Sequence, residues 1–270
     1  MKSFNQICES SIKMNSNQFK LYNERLEKSL YDKLFFMKHI FDFDLFVDFG
    51  CANGSLIKAV LPYHDADYFG YDLSEDMVSA ARNNVSEAQF TSDWSVIEKR
   101  VKECKGKSVL NLSSIIHEVY SYGDESDIKT FWDRVLNSGF DYISIRDMTM
   151  TKEDFAKPEP KDWEEIKEVL YHTENGKEKI EMFEDVWGPI LCHGEFVHLM
   201  MKWNYWNNYK REVNEEYLVT TGEIMGHINR SDYNIKYKKA FVLEYLRDYV
   251  KDLTDVTITT PTHIKLILVK

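Results

Sequence analysis

Three short stretches carry residues that could do chemistry. The first is Asp48-Phe49-Gly50-Cys51-Ala52-Asn53-Gly54, where an acid is followed by small residues at every second position. A turn built of small residues lets backbone N–H groups approach a ligand, and a helix N-terminus after it adds partial positive charge. The second is Gly70-Tyr71-Asp72-Leu73-Ser74. Its acid lies about 20 residues beyond the turn, the separation at which a carboxylate meets ribose hydroxyls in nucleotide-binding βαβ units. The third is Ser113-Ser114-Ile115-Ile116-His117-Glu118. An imidazole, with an ordinary pKa of about 6.5, is well suited to take a proton near neutral pH. A histidine satisfied by local hydrogen bonds on a helix's first turn is the other reading of His117. Glu118 is a second candidate base, or an orienting partner for His117.

The elements that must hold these residues can be read from short apolar runs. Leu45-Phe46-Val47 is too short for a helix and rich in aromatic and β-branched residues, which predicts a buried parallel strand. Residues 68–72, 88–94, 108–114 and 140–148 read as four more strands. Helices are predicted from Ser55, over 75–84 behind the cap residue Ser74, over 96–104, and over 126–138 with Gly139 as its stop. Ligands of open parallel sheets sit beyond the carboxyl ends of the strands, where Gly50, Asp72 and His117 all fall. Ahead of the first strand, Phe19, Tyr22, Leu26, Leu30, Leu34 and Met37 recur at helical spacing and predict an amphipathic helix over 17–41.

Composition narrows the partners. The 270 residues are 43% hydrophobic and 29% charged, as in an ordinary globular chain, with a formal net charge of −11. An acidic chain repels polyanions at long range, so a small molecule is favoured over nucleic acid as the partner. The opening residues show no apolar secretory core and no run reaches membrane-spanning length. Cys8, Cys51, Cys104 and Cys192 form no C-x-x-C pair. A reduced, cytoplasmic protein with no membrane partner is expected. Cys192, His193 and His198 are too irregularly spaced for a zinc site, and no metal is expected.

The run led by Asp48, with Gly50, Ala52 and Gly54, resembles the first motif of class I S-adenosylmethionine (AdoMet) methyltransferases, roughly D-x-G-x-G-x-G. Ala52 in place of the middle glycine is the departure. A dinucleotide site would want a further glycine where Ser55 stands. The run Gly70-Tyr71-Asp72-Leu73-Ser74-Glu75-Asp76-Met77 is similar to that family's second motif. The resemblance covers residues 17–148 and 236–270. It implies an α/β fold: a Rossmann-like open twisted sheet, mostly parallel with an antiparallel C-terminal hairpin, helices on both faces, and here a largely helical insertion. The implied cofactor is S-adenosylmethionine, with S-adenosylhomocysteine as product. The implied cofactor-binding residues are Asp48, Gly50, Cys51, Ala52, Asn53, Gly54, Asp72, Leu73, Met77 and Ser113, with Asp93 accepting from the adenine amino group and Trp94 covering the ring. An N-cap is the other reading of Asp93. Tyr22 would reach the cofactor carboxylate from the N-terminal helix, and core packing is its other reading. The amino-methylating motif N/D-P-P-Y/F is absent, since Asn111 is followed by neither proline nor aromatic residue.

Three regions follow: an N-terminal helical lid over 1–44, an AdoMet-binding core over 45–148 and 236–270, and a helical insertion over 149–235 as substrate cap. The insertion reads as a helix from Trp163 to Leu170 and another over 195–217. The second carries an aromatic-basic cluster around Trp203 and Trp206, which reads as substrate-binding together with Arg146, although such a stripe also serves as core. A helix over 238–253 and strands over 256–260 and 263–269 are expected to finish the sheet. The expected activity is AdoMet-dependent methyl transfer to O or N of a small molecule, with His117 and Glu118 as catalytic residues. RNA or nucleotide methylation, and an inactive AdoMet-binding subunit, are the alternatives.

Overall fold

The run Leu45–Phe49 is β1, buried along its whole length, and the rest of the sheet grows outward from it. The computed structural model describes residue 30 and residues 32–158, 162–205, 209–214 and 219–270. In chain order, β1 is followed by α1 (Ser55–Val60), β2 (Asp67–Tyr71), α2 (Glu75–Asn84), β3 (Gln89–Thr91), α3 (Trp94–Glu103) and β4 (Ser108–Ser113). Then come α4 (Ile116–Tyr122), α5 (Glu125–Asn137) and β5 (Tyr142–Met148). With β6 (Asn234–Phe241) and β7 (His263–Val269), these make one seven-stranded sheet in the order β3-β2-β1-β4-β5-β7-β6. It is mostly parallel, with an antiparallel C-terminal pair.

The order reverses between β1 and β4, so the chain leaves β1 in one direction to reach β2 and returns to its other side to make β4. A crevice opens at such a reversal, and it lies beside the Gly50–Gly54 turn. Register aligns Asp48 with Asn111 on β4, and Asn111 with Ser144 on β5. These three polar residues therefore share one face of the sheet. Phe46 lies two residues before Asp48 on that face and packs with Phe35 and Phe36 of the 3₁₀ turn Leu34–Lys38. On the opposite face, Phe49 meets Tyr71, Trp94 and Phe131 with ring centres 4.9, 5.2 and 5.4 Å away.

Contacts divide the chain into two compact units. One holds Met1–Asp147, Gly226–Lys239 and Lys265–Lys270, and the other Met148–Met225 with Ala240–Ile264. The second unit contains α6 (Lys152–Ala156), α7 (Trp163–Tyr171), α8 (Gly176–Trp187), α9 (His193–Lys202), α10 (Tyr209–Glu212), most of α11 (Thr221–Ile228) and α12 (Glu244–Thr254). Its core includes Trp163, Leu170, Phe183, Phe196, Leu246, Val250 and Ile258.

Several elements differ from the sequence reading. The expected helix over 238–253 is the end of β6 followed by α12, and residues 256–260 are not a strand; β6, not 256–260, accompanies β7. The reason is that β6 is an edge strand with almost every residue exposed. Lysines on an edge strand discourage unwanted pairing, and they erase the apolar alternation by which a strand is recognised. The expected helix over 195–217 is broken after Lys202 and resumes only for the short α10. Helix α8 carries no signal beyond Asn175-Gly176, which reads as a turn; Asn175, with φ 57°, is the helix's N-cap. Of the expected helix over 17–41, the part before residue 30, including Tyr22, lies outside the described residues. Among the described residues, no helix is long and apolar enough to cross a membrane.

Candidate active site

The turn after β1 is held open by left-handed backbone at three alternate residues: Gly50 (φ 73°), Ala52 (φ 46°) and Gly54 (φ 76°). A Cβ on Gly50 would sit 2.8 Å from Ile115 Cδ1, and one on Gly54 3.0 Å from Phe90 Cζ. Ala52 is the only one of the three with a side chain, and left-handed backbone there costs roughly 1–2 kcal/mol. The N–H groups of Gly50 and Cys51 both donate to the Tyr71 carbonyl, at 2.8 and 3.0 Å, which ties the turn to the end of β2. Asn53 Oδ1 accepts from the Ser55 hydroxyl at 2.7 Å and its N–H at 3.2 Å, which starts α1. Cys51 is buried; that burial, reinforced by Asp72 and Asp48, pushes its thiol pKa up and makes the thiol inert.

Asp72 stands directly after β2 and bridges the two motifs. Its Oδ2 accepts the Ala52 N–H at 2.9 Å and its Oδ1 the Ser74 N–H at 3.0 Å. Burial raises its pKa above the usual carboxylate value, opposed by those two N–H groups. A carboxylate has about four acceptor positions, so two remain for a diol. Ser74 caps α2 by accepting from the Met77 N–H at 3.3 Å, and Met77 is buried beneath, while Leu73 is half-buried. Asp93 caps α3, its Oδ1 accepting from the Ser95 N–H at 2.9 Å. Trp94 is buried between Tyr71 and Phe49, and its indole Nε1 has no hydrogen-bond partner.

Asp48 is buried, and Asn111 Nδ2 donates to its Oδ1 at 2.8 Å. Burial pushes its pKa up to about 7, against the Asn111 hydrogen bond and the positive charge of Lys33. Beyond β4 the backbone turns through Ser114 at φ 59°, a conformation that a non-glycine residue rarely holds away from functional turns. The turn aims the first N–H groups of α4 at β5. Asp147 Oδ2 accepts the N–H groups of Ile115 and Ile116 at 2.8 and 2.6 Å. Its Oδ1 lies 2.6 Å from His117 Nδ1.

Asp147 has no exposed surface and His117 only 7%. Burial alone would raise the Asp147 pKa. The charge of His117, its hydrogen bond and the two backbone N–H groups outweigh that and hold it below the usual range. An ionised carboxylate only accepts, so the proton between the two side chains belongs on Nδ1, and in the neutral ring Nε2 carries the lone pair. The sequence reading named Asp147 only as a neighbour of Arg146. What it lacked was the register of β5 against β4, which brings residue 147 under the start of α4.

The proposed substrate residues stand elsewhere in the fold. Arg146 is buried and committed to partners: its Nε donates to Asp32 Oδ2 at 2.9 Å and its Nη1 to Ser114 Oγ at 3.0 Å. Trp203 belongs to the core of the second unit, 2% exposed, with Lys179 Nζ 4.8 Å from its ring centre. Trp206 lies outside the described residues. Among the described residues, no group of three or more His, Cys, Asp or Glu could hold a metal.

Asp72 is the residue whose role can be tested most simply. Asp72→Ala should weaken S-adenosylhomocysteine binding by roughly 1.5–3 kcal/mol, the contribution of a charged acceptor. Calorimetric titration, with a thermal melt to check folding, measures it; unchanged affinity in a folded variant would place the ribose elsewhere.

No protein-family model and no curated protein matches the chain. Solved structures do. A SAM-dependent methyltransferase from Archaeoglobus fulgidus is similar at 11% identity and TM-score 0.50, over 93% of this chain and 99% of that one. One from Anabaena variabilis is similar at 10% identity and TM-score 0.51, over 90% and 84%. The pyocyanin biosynthetic protein PhzM is similar at 14% identity and TM-score 0.53, over all of this chain but only 62% of its own. With the strand order, the glycine turn and the acid after β2, these likenesses give the chain the fold of the SAM-dependent methyltransferases.

Proposed function

We propose that the protein is an S-adenosylmethionine-dependent methyltransferase acting on an O or N atom of a small molecule. The observation that carries the reading is the His117–Asp147 pair, buried at the end of β4 and β5 beside the open turn of β1. The chain's own residues fit the cofactor. The turn is a cradle that a Cβ on Gly50 or Gly54 would crowd, and Asp72 keeps acceptor positions for a ribose. Asn111 Oδ1 and Ser113 Oγ are buried polar atoms with no partner, which a polar ligand would satisfy.

Bound there, S-adenosylmethionine would supply a methyl group already activated by its positive sulfur. The protein then has two tasks, alignment and proton removal. Asp147 holds the imidazole by Nδ1, fixes its tautomer and stabilises the charge that the ring acquires. His117 Nε2 takes the proton of the acceptor hydroxyl or amine. The link from Asp147 to the N–H groups of Ile115 and Ile116 ties the position of His117 to the start of α4. The net charge of −11 supports a small acceptor over RNA, and residues 149–235 are proposed to select it.

Incubation with methyl-labelled S-adenosylmethionine, against separate small-metabolite and RNA fractions, tests the reading. Label should enter the small-metabolite fraction. Label only in RNA would overturn the acceptor class, and no label despite tight cofactor binding would make the chain an inactive AdoMet-binding subunit.

A further inference from the structure

On the sheet face that carries Asp48, the fold buries an unusual set of polar groups. Asp48, Asn111 and Ser144 lie side by side on β1, β4 and β5, and one step nearer the strand ends Ser113 lies beside Arg146. Asn111 Oδ1, Ser113 Oγ and Ser144 Oγ are buried with no hydrogen-bond partner. Lys33, just before the 3₁₀ turn that packs on this face, is only 7% exposed. Its ammonium makes no hydrogen bond or ion pair among the described residues, although it feels the charges of Arg146, Asp48, Asp147 and Glu118. By contrast, Arg146 and Lys265 are both paired with Asp32.

Natural proteins rarely leave so many buried polar atoms without partners, and an unpaired ammonium in a buried setting is the most costly of them. The cost is offset if a ligand completes the set. An ammonium and two hydroxyls are all donors, and a carboxylate is the group that answers three donors at once. Two residues before Gly50, Asp48 offers the opposite charge on the same face. Together Lys33 and Asp48 match a zwitterion, which carries one carboxylate and one ammonium.

We infer that Lys33, assisted by Ser113 and Ser144, binds the carboxylate of the cofactor's methionine end. This rests on the AdoMet reading of the turn above. It assigns a cofactor-binding role to a residue outside both glycine and acid motifs. Burial of the amine, opposed in part by Asp48, lowers the Lys33 pKa to about 8, which still leaves it largely charged at neutral pH.

The test compares S-adenosylmethionine with decarboxylated S-adenosylmethionine, which lacks only the carboxylate, by titration calorimetry. The wild-type protein should prefer the carboxylated ligand by roughly 10–100-fold, the range for a charge-assisted contact. Lys33→Met should abolish that preference while leaving the decarboxylated ligand's affinity within about 3-fold, and Lys33→Arg should restore most of it. Ser144→Ala, a milder change, should reduce the preference severalfold, which keeps the test open if Lys33→Met fails to fold. A preference that survives Lys33→Met overturns the inference, as does Ser144→Ala with the wild-type preference where Lys33→Met does not fold. Failure of both ligands to bind the wild-type protein overturns it together with the cofactor reading itself.

Discussion

His117→Ala should lower turnover by about 10²–10⁴-fold while S-adenosylhomocysteine affinity stays within about 3-fold of wild type. The split follows from the geometry. His117 lies on α4 beyond the end of β4, whereas the proposed cofactor contacts come from the turn after β1 and from Asp72. Wild-type turnover should also fall on the acid side, because a ring protonated at both nitrogens cannot accept the acceptor's proton. That acid limb should vanish from the residual activity of His117→Ala. Steady-state rates across pH, set beside a binding titration, measure both effects. Near-normal turnover with an unchanged pH profile would leave His117 a structural residue and pass proton removal to Glu118 or to solvent.

The second large effect belongs to Asp147, and its two substitutions should part ways. Asp147→Asn keeps the volume and one acceptor. If its oxygen stays with Ile115 and Ile116, its NH₂ faces His117 Nδ1, and the ring must move its proton to Nε2. The base is then lost although the fold survives, and turnover should drop by about 10²–10⁴-fold, as expected of a wrong tautomer. Asp147→Ala strips the only recorded acceptor from three donors at a site with no exposed surface. It should destabilise the protein by about 3–5 kcal/mol, the range for breaking a buried charge pair. The sign with pH is fixed by the depressed Asp147 pKa. The folded state holds the carboxylate ionised more strongly than the unfolded chain does, so this stabilisation is complete above the unfolded pKa and is lost as pH falls through the folded one. Denaturant melts across the acid range should therefore show a shallower acid-side loss for Asp147→Asn than for wild type. Equal slopes would mean that Asp147 is not the ionised partner of His117.

Much of this site can be read in the chain, because its parts are local. The alternation Gly50, Ala52, Gly54 is a statement about backbone conformation, and all three residues do adopt positive φ. Asp72 is legible because the distance from turn to acid is set by one βαβ unit. Asp147 is not, since its role depends on β5 lying beside β4 in one register and on the left-handed Ser114 that swings Ile115 and Ile116 toward it. Lys33 is hidden for a different reason: a lone lysine among the Lys and Glu of an amphipathic stretch reads as a solvated residue until the fold buries it. At the far edge, β6 is disguised by exposure on both faces, and the helix expected over 238–253 borrowed Phe241 and Val242 from the end of that strand and the connection beyond it.

The central claim is that the turn after β1 and the carboxylate after β2 form one S-adenosylmethionine site. Titration calorimetry of the full chain with S-adenosylhomocysteine tests it most directly. The account predicts a saturable one-to-one heat, abolished by competition with S-adenosylmethionine, and a melting temperature that rises with ligand concentration by mass action on the native state. A chain that is folded by its melt yet gives neither heat nor a shift at millimolar ligand would contradict it.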